Sequence, residues 1–316
     1  MKKRYLLLSL VLLSSCSSKV DTSGLKIVTP TGAPAFAFYN HASSSNFETN
    51  STPSNIVAMM NDKSDKDIVV IDTVTGIKAI QKGAPYLLAA NITLGNFYIA
   101  STGNDDNNVM DEDDKIVLFG EKQTPDLVFH YIYGDVFDKN IEYVTNVQDA
   151  AKCLASGKNL VTGSSIDYVF VAQPVLYTIL NNKNAATYSK AGIYENIQEK
   201  YNEKSDNLSL IQASVFVKNS DESEYNKTIS AFLKDLKSDI TSVISNPNLM
   251  DNTIGKLETE VATSLYGTNY QMVKKVIEDD NSLGLGYIKA IDNKKAIDNF
   301  ISLFGMDKTN EEIYFK

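Results

Sequence analysis

The sequence predicts an α/β fold built from two doubly wound lobes. Two observations lead to this prediction: short apolar segments alternate with helix-like segments along most of the 316 residues, and the turns between them are short and polar. Strands that lead into helices through such turns form a mainly parallel sheet with helices on both faces. The alternation occurs in two successive blocks, and the chain is long enough for two lobes of about 150 residues each.

The first block begins with a short strand and a turn that contains Pro and Gly, followed by a helix-like segment at residues 35–39. Residues 67–71 are almost continuously apolar, which is typical of a strand covered by helices on both faces. A helix at residues 74–81 follows, with Gly83 just past its end, where a glycine commonly terminates a helix. The strands predicted in this block are residues 25–28, 67–71, 86–90 and 95–101.

An acidic, Asn-rich segment at residues 103–114 separates the two blocks. The spacing of its Asp residues does not match an EF-hand loop, which has Gly at its sixth position and Glu at its twelfth. We therefore expect a solvated loop here, with a loose cation site as the alternative.

The second block contains a strong helix start. Thr124 supplies a capping hydroxyl, Pro125 suits the first helical turn, and Asp126 adds an acid, while Gly134 closes the helix. The strands predicted in this block are residues 116–119, 141–144 and 159–162. The predicted helices are residues 124–133, 147–156 and 168–180.

The last part of the chain returns to the first lobe. After a strand predicted at residues 209–218, apolar side chains recur at every third or fourth position from Ile229 to Ile244. This periodicity predicts a long amphipathic helix docked on a core, which Asn246 and Pro247 would end. The further helices expected are residues 269–278 and 294–304.

The N-terminal residues 1–15 are typical of a bacterial export signal. Basic residues at positions 2–4 precede an apolar stretch at residues 5–13, which is too short to span a bilayer. The following Leu-Ser-Ser-Cys resembles a lipobox, so we expect cleavage before Cys16, lipidation of its thiol and a polar tether at residues 16–24. An ordinary secretory signal with a chance Cys is the alternative.

The composition excludes several classes of protein. A net charge of −9 argues against a nucleic-acid partner and against a polybasic membrane surface. His41 and His130 are the only histidines, so neither a His-rich zinc site nor a Ser-His-Asp triad is expected. Cys153 is the only cysteine besides Cys16, which leaves no disulfide within the mature chain, and its small-residue helix predicts a packed core thiol.

Four polar turns after predicted strands form the candidate ligand site. In open α/β sheets, ligands bind outside the carboxyl ends of the strands, close to the free amides of helix N-termini. Any one of these turns could instead serve only to cap a helix, and for Asp72 capping and ligand contact are equally expected. The turns are residues 29–34, 72–75, 120–124 and 162–165.

Catalytic motifs are absent from the sequence. It contains no G-x-S-x-G elbow, no H-E-x-x-H pair and no P-loop, and Gly284-Leu285-Gly286 lacks the third glycine of a dinucleotide site. We therefore predict no catalytic residue, no metal site and no cofactor. An exported enzyme on the same fold is one alternative, with Asp72 as its only candidate acid or base. A surface-interaction lipoprotein is another, and it would have a sealed cleft or none.

The mature chain resembles a known family in the order and spacing of five segments. It resembles the nitrate/sulfonate/taurine-type substrate-binding proteins of ABC importers, relatives of the pyrimidine-precursor binders of thiamine uptake. The segments that carry the resemblance are KIVTPTGAPAFAFY, DIVVIDTVTGIKAIQKGAPYLLAANITLGNFYIAS, KIVLFGEKQTPDLVFHYI, VQDAAKCLASGKNLVTGSSIDYVFVAQPVLYTIL and LGLGYIKAIDNKKAIDNFISLF.

The resemblance implies a type II periplasmic-binding-protein fold, in which two lobes joined by a two-strand hinge close on a small molecule. Lobe one would comprise residues 25–100 and 215–316, and lobe two residues 101–212, with crossing strands near Ser101 and Gln212. The ligand contacts that it implies are Thr31, Gly32, Ala33, Asp72, Thr73, Gln123, Thr124, Ser164 and Ser165.

The resemblance also implies a monomeric receptor that delivers its ligand to an ABC permease and ATPase. Its lipid anchor would hold it on the outer face of the cytoplasmic membrane, at the cell surface or in a periplasm. The ligand candidates are a sulfonate, an amino-acid-like zwitterion and a small heterocycle. These turns contain no Arg, and Lys122 is the only nearby cation, which argues against a strongly anionic ligand.

Overall fold

The fold was obtained as a computed structural model, which describes residues 19–181, 190–279 and 281–316. The predicted signal peptide, the lipidation site Cys16 and the start of the tether lie outside the described residues. Within those three ranges, no helix is both long enough and apolar enough to cross a bilayer.

Strands and helices alternate along most of the described chain, as the sequence predicts, except at β4–β6 and α8–α10. The strands are β1 (Ile27–Pro30), β2 (Phe47–Asn50), β3 (Ile68–Asp72), β4 (Tyr86–Thr93), β5 (Phe97–Ser101), β6 (Ile116–Phe119), β7 (Ile141–Val144), β8 (Tyr168–Ala172), β9 (Gly192–Asn196), β10 (Ala213–Lys218) and β11 (Leu285–Lys289). The helices are α1 (Ala33–Phe36), α2 (Pro53–Ala58), α3 (Thr73–Gln81), α4 (Thr124–Tyr133), α5 (Val147–Ser156), α6 (Val175–Leu180), α7 (Ile197–Lys204), α8 (Ser223–Ser245), α9 (Thr259–Tyr266), α10 (Tyr270–Glu278) and α11 (Lys294–Ser302).

The strands form two separate sheets. The first has the order β11-β4-β10-β3-β1-β2 and the second the order β7-β6-β8-β5-β9. In the first sheet β1 is parallel to β2 and β3, whereas β10 is antiparallel to β3 and β4. In the second sheet β6 is parallel to β7 and β8, and only β5 runs in the opposite direction to its neighbours β8 and β9. Two α/β lobes result, which confirms the predicted fold class.

The first crossing between the sheets is not where the sequence predicts it. β5 pairs with β8 and β9, so it belongs to the second sheet and the chain crosses at residues 94–96 rather than near Ser101. Because β4 and β5 are both apolar and only three residues separate them, the sequence does not show that they belong to different sheets. The chain returns to the first sheet through residues 205–212, and Gln212 immediately precedes β10.

The predicted strand at residues 159–162 is wrong, and so is the first part of the predicted helix at residues 168–180. Residues 159–162 form a turn in which the Asn159 side chain accepts the amide of Val161 at 2.7 Å. The strand of this region is β8, and its five residues are all buried. Gln173 and Pro174 then separate β8 from the short helix α6.

The long amphipathic helix is confirmed as α8. It buries Ile229, Phe232 and Leu236 along one face, and Asn246 ends it immediately before Pro247. α5 likewise ends at Gly157, which has a φ of 63°. Cys153 on α5 is fully buried, as predicted, and burial raises the pKa of its thiol.

Three groups of buried apolar side chains form the core. One lies on the face of the first sheet covered by α8 and α10, and another on the face of the second sheet covered by α5 and α6. The remaining group, which we call the shared core, includes residues of both sheets, among them Val69 and Phe216 from the first and Phe97 and Phe170 from the second. Apolar packing therefore continues from one lobe into the other.

Candidate functional site

A cleft of about 430 Å³ lies where the two sheets face each other. Its lining comes from turns at the carboxyl ends of parallel strands in both lobes, where ligands of α/β sheets bind. The first lobe contributes Thr31, Gly32, Ala33, Asp72, Thr93, Gln212, Gly267 and Thr268, among others. The second lobe contributes Phe97, Phe119, Thr124, Val147, Gln148, Gln173, Pro174 and Val175, and Asn96 lies in the crossing between them.

A larger depression of about 860 Å³ lies elsewhere on the first lobe. It is lined by Leu87, near the start of β4, and by Asn219, just after the antiparallel strand β10. These positions mark the opposite end of the sheet from the carboxyl ends of β1 and β3. Position in the fold therefore favours the smaller cleft as the ligand site.

Five of the nine residues predicted to contact a ligand line this cleft. They are Thr31, Gly32, Ala33, Asp72 and Thr124. Gly32 has a φ of 94°, a conformation that favours glycine, and its amide donates to the carbonyl oxygen of Tyr266 at 3.0 Å. The turn after β1 is therefore held against the end of α9, and the Gly32 amide is engaged within the protein.

Asp72 joins the two lobes across the cleft. Its Oδ1 accepts the amide and the hydroxyl of Thr75, each at 2.9 Å, and so caps α3. Its Oδ2 accepts the hydroxyl of Thr124, at the start of α4 in the other lobe, at 3.3 Å. Burial raises the pKa of the Asp72 carboxyl, and this effect outweighs the opposing effects of the hydrogen bonds and of the Lys78 charge.

Thr73 does not reach the cleft. Its side chain is fully buried, and its hydroxyl lies 2.7 Å from that of Ser214 on β10. Ser214 also accepts a bond from the Asn91 amide at 2.8 Å, and Asn91 in turn accepts one from Asn293 at 2.8 Å. This buried network fixes the start of α3 against β10 and β4, so Thr73 has a structural role.

Gln123, Ser164 and Ser165 also lie away from the cleft. Gln123 lines a separate surface depression on the second lobe. The hydroxyl of Ser164 donates to the Glu142 carboxylate, and that of Ser165 accepts a bond from Asn104. The sequence predicts the last two at the cleft because it predicts a strand at residues 159–162. The turn that follows the actual strand, β8, contains Gln173 and Pro174, and both line the cleft.

Three buried oxygen atoms of the cleft lining have no hydrogen-bond partner among the described residues. They are Thr93 Oγ1, Asn96 Oδ1 and Gln212 Oε1. Thr93 is 2% exposed and Asn96 is 7% exposed, so bulk water does not satisfy them. Since a buried polar atom without a partner is costly, these positions indicate where a ligand or bound water would donate hydrogen bonds. No post-strand turn in the sequence marks Thr93, Asn96 or Gln212.

The backbone around these oxygen atoms is rigidly held. Asn96 and Gln173 exchange two hydrogen bonds: the Asn96 side-chain amide donates to the Gln173 carbonyl at 2.8 Å, and the Gln173 amide donates to the Asn96 carbonyl at 3.0 Å. On the other side, the Gln212 amide donates to the Thr93 carbonyl at 2.9 Å. The backbone segments that carry the three oxygen atoms are therefore fixed, and the Asn96 side chain is fixed as well.

The charge of the cleft lining is negative only, as far as the described residues show. Within the part of the chain that the structure describes, Asp72 is the only charged side chain in the lining, and no Lys, Arg or His accompanies it. Lys122, the cation that the sequence places beside the predicted turns, is 86% exposed and pairs with Glu121 at 3.3 Å. The other lining side chains are uncharged, some polar and some apolar, and among the apolar ones Phe97 and Phe119 meet edge to face with ring centroids 6.1 Å apart.

Neither histidine lies at the cleft. Burial lowers the pKa of His41, whose ring packs on Phe232 with centroids 5.6 Å apart. Burial also opposes protonation of His130, but its contacts with Asp126 and Asp138 outweigh that effect and raise its pKa. Over the described residues, no group of three or more His, Cys, Asp or Glu side chains is placed to hold a metal ion.

Comparisons with known proteins identify relatives of the fold only at the level of structure. No protein-family model matches the sequence, and no curated protein matches it. An ABC transporter structure from Parabacteroides distasonis is similar to this chain with a TM-score of 0.64 and 18% identity, covering 88% of this chain and 91% of that chain.

Two further solved structures are similar to this chain in fold. The ligand-binding component of an ABC-type import system from Staphylococcus aureus has a TM-score of 0.59 at 11% identity, with 92% of this chain and 96% of that chain covered. The periplasmic aliphatic sulphonate binding protein SsuA from Escherichia coli has a TM-score of 0.58 at 11% identity, with 92% of this chain and 90% of that chain covered. Likeness over nine-tenths of each chain shows that this protein has the two-lobed periplasmic-binding-protein fold found in components of ABC importers.

Proposed function

We propose that this protein is the extracytoplasmic solute-binding receptor of an ABC importer. The cleft carries this proposal, because it lies between two lobes that the chain crosses twice, and it presents three buried oxygen atoms without partners among the described residues. A ligand that donates to these atoms and also packs on Phe97 and Phe119 would contact both lobes and favour their closure. The closed receptor would then dock on a permease with its ATPase.

The ligand contacts that we propose differ in part from those predicted from the sequence. Thr31, Ala33, Asp72 and Thr124 stay in the set, together with the turn at Gly32. The contacts that we add are Thr93, Asn96, Gln173 and Gln212. The receptor would act as a monomer, lipidated at Cys16 on the outer face of the cytoplasmic membrane, where the predicted export signal would place it.

The lining of the cleft favours binding over catalysis. An enzyme would need a general acid or base together with a group that activates the substrate. Asp72 is the only ionisable side chain among the described lining residues, and its carboxylate already accepts three hydrogen bonds. The presence of a cleft also weighs against a purely surface-interacting lipoprotein.

Thermal unfolding of the full chain in mild detergent tests the proposal. The panel comprises sulfonates, amino acids, nucleobases, aminopyrimidines and polyamines. A ligand at 100 times its Kd should stabilise the protein by about 2.7 kcal/mol, which raises Tm by several degrees. Small-angle X-ray scattering with the same compound should show a smaller radius of gyration. A compound that binds without any compaction would contradict closure on a ligand.

A further inference from the structure

We propose that the ligand is an organic cation, which presents a protonated nitrogen group to Asp72 and rests an apolar or aromatic body against Phe97 and Phe119. This inference rests on the proposed receptor function and specifies the chemistry that the cleft selects. Four observations lead to it: the remaining hydrogen-bonding capacity of Asp72, the three oxygen atoms that lack partners among the described residues, the charges at the helix ends, and the aromatic wall.

The carboxylate of Asp72 has capacity left for a donor from the ligand. A carboxylate offers about four lone-pair sites. Three are occupied, by the amide and hydroxyl of Thr75 and by the hydroxyl of Thr124. A buried negative charge without a countercharge is unfavourable, and no described cation lines the cleft to neutralise it. A cationic ligand would supply both the missing donor and the missing charge.

Two of the three buried oxygen atoms without described partners, those of the Asn96 and Gln212 amides, also require donors, whereas the Thr93 hydroxyl can donate or accept. Thr93 Oγ1, Asn96 Oδ1 and Gln212 Oε1 are buried and have no protein partner among the described residues. Amide oxygens are acceptors only, and the Asn96 amide nitrogen already donates to the Gln173 carbonyl. A sulfonate or carboxylate carries acceptors only and leaves the amide oxygens without donors, whereas an ammonium, amidinium or guanidinium group brings two to five N–H donors.

Two of the longer helices that begin at the cleft, α4 and α5, have an acid close to their N-termini. α4 and α5 begin at the cleft, and such ends normally attract negative charge. Each already has an acid in its first turn, Asp126 in α4 and Asp149 in α5. Asp126 is buried and accepts the backbone amide of Lys122 at 2.7 Å. The Asp126 carboxylate offsets the partial positive charge of the α4 N-terminus, whereas that of Asp149 is also paired with Lys152 at 3.0 Å and offsets less at α5.

The apolar part of the lining fits the body of a small organic cation. Phe97 and Phe119 lie on one wall, and Val147 and Val175 are also in the lining. The volume of about 430 Å³ lies in the range of small-molecule sites and suits a small ring or a short chain. Aromatic rings beside a cationic group add an attraction that an anion would not gain.

The ionisation of Asp72 makes binding depend on pH. Burial raises its pKa above the ordinary carboxyl range, and the opposing influences come from Thr75, Thr124 and Lys78. As the pH falls through that raised pKa, the carboxylate is neutralised and its attraction for a cation is lost. Affinity should therefore fall on acidification, beginning at a higher pH than for a solvent-exposed aspartate. No other described lining residue titrates.

The test compares cations and anions that carry similar phenyl or butyl groups. Benzylamine, benzamidine and n-butylamine are measured against benzenesulfonate, benzoate and butanesulfonate, by thermal shift and calorimetry between pH 7.5 and pH 5. The variants are Asp72→Asn and, as a control for net charge, Glu142→Gln, because the Glu142 carboxylate binds Ser164 away from the cleft. The amide introduced by Asp72→Asn retains an oxygen that can cap the start of α3.

We expect the cationic set to bind, with affinity lowered about 10- to 100-fold by Asp72→Asn and unchanged by Glu142→Gln. That affinity should fall on acidification in the unchanged protein and stay level in Asp72→Asn. Binding of the anionic set alone, insensitive to Asp72→Asn, would overturn the cationic ligand and leave the receptor function standing. If neither set binds, the cationic ligand is rejected as well, and scattering with the wider panel then decides whether the receptor function fails too.

Discussion

Val175→Trp should abolish ligand binding and leave the free protein folded. Val175 begins α6, lines the cleft and is partly exposed there, so a larger side chain can extend into the cavity without displacing the core. An indole would occupy much of the width of a cleft of about 430 Å³ and prevent the lobes from closing on a ligand. We expect at least about a 100-fold loss of affinity, because the ligand can no longer reach both lobes.

The control for this variant is Val136→Trp. Val136 lies in the same lobe, outside the cleft lining, and is 59% exposed. The same change there should leave both affinity and Tm nearly as they are, since exposed substitutions usually alter stability by under about 0.5 kcal/mol. Affinity is measured by calorimetry with the compound that gives the largest thermal shift. A Val175→Trp protein that binds as tightly as Val136→Trp would show that the ligand binds elsewhere.

Gly284→Ala should destabilise the protein by about 2–5 kcal/mol. Gly284 has a φ of 71°, a conformation that L residues adopt only with strain. A Cβ there would lie 2.1 Å from the carbonyl oxygen of Gly95, and backbone cannot move aside as a flexible side chain can. The Gly284 carbonyl also accepts the Leu94 amide at 2.8 Å. The clash would therefore displace residues 94–96, where the chain crosses between the lobes.

Gly305→Ala separates the cost of the left-handed backbone conformation from the cost of the steric clash. Gly305 has a similar φ of 66°, but a Cβ there meets no atom within 4 Å. It should therefore show only the cost of the left-handed conformation, about 1 kcal/mol. Both variants are compared by urea unfolding. Equal destabilisation of the two would mean that the crossing segment tolerates displacement and is less tightly held than its contacts indicate.

The sequence predicted the elements whose signals are local. β3 and the start of α3 follow from an apolar run ending in Asp72, and α8 follows from its long periodicity. Three turns of the cleft were found in this way, because a polar turn after a parallel strand is visible in the sequence itself. The turn after β8 was missed since the apolar residues of β8 and α6 read as one helix, and Gln173-Pro174 was not recognised as the break between them.

The predicted strand at residues 159–162 is wrong for a related reason. Leu160 and Val161 supply the apolar pair that a strand would have, yet they are 48% and 80% exposed. The acceptors Thr93, Asn96 and Gln212 were missed on different grounds. Their importance comes from lacking a partner among the described residues, and that property depends on which distant segments pack around them rather than on any local pattern.

The shared core has a consequence for how the protein folds. Tyr201 of α7 packs on Phe300 of α11, with ring centroids 6.5 Å apart, and its hydroxyl accepts the Asn299 amide at 3.0 Å. The second lobe is thus inserted in the chain of the first and is also packed against it through a common apolar interior. Excising either lobe would expose side chains such as Phe170 and Phe216 to water. In the closure that we propose, the lobes move relative to each other around the cleft, yet we expect them to unfold together because they share this apolar interior.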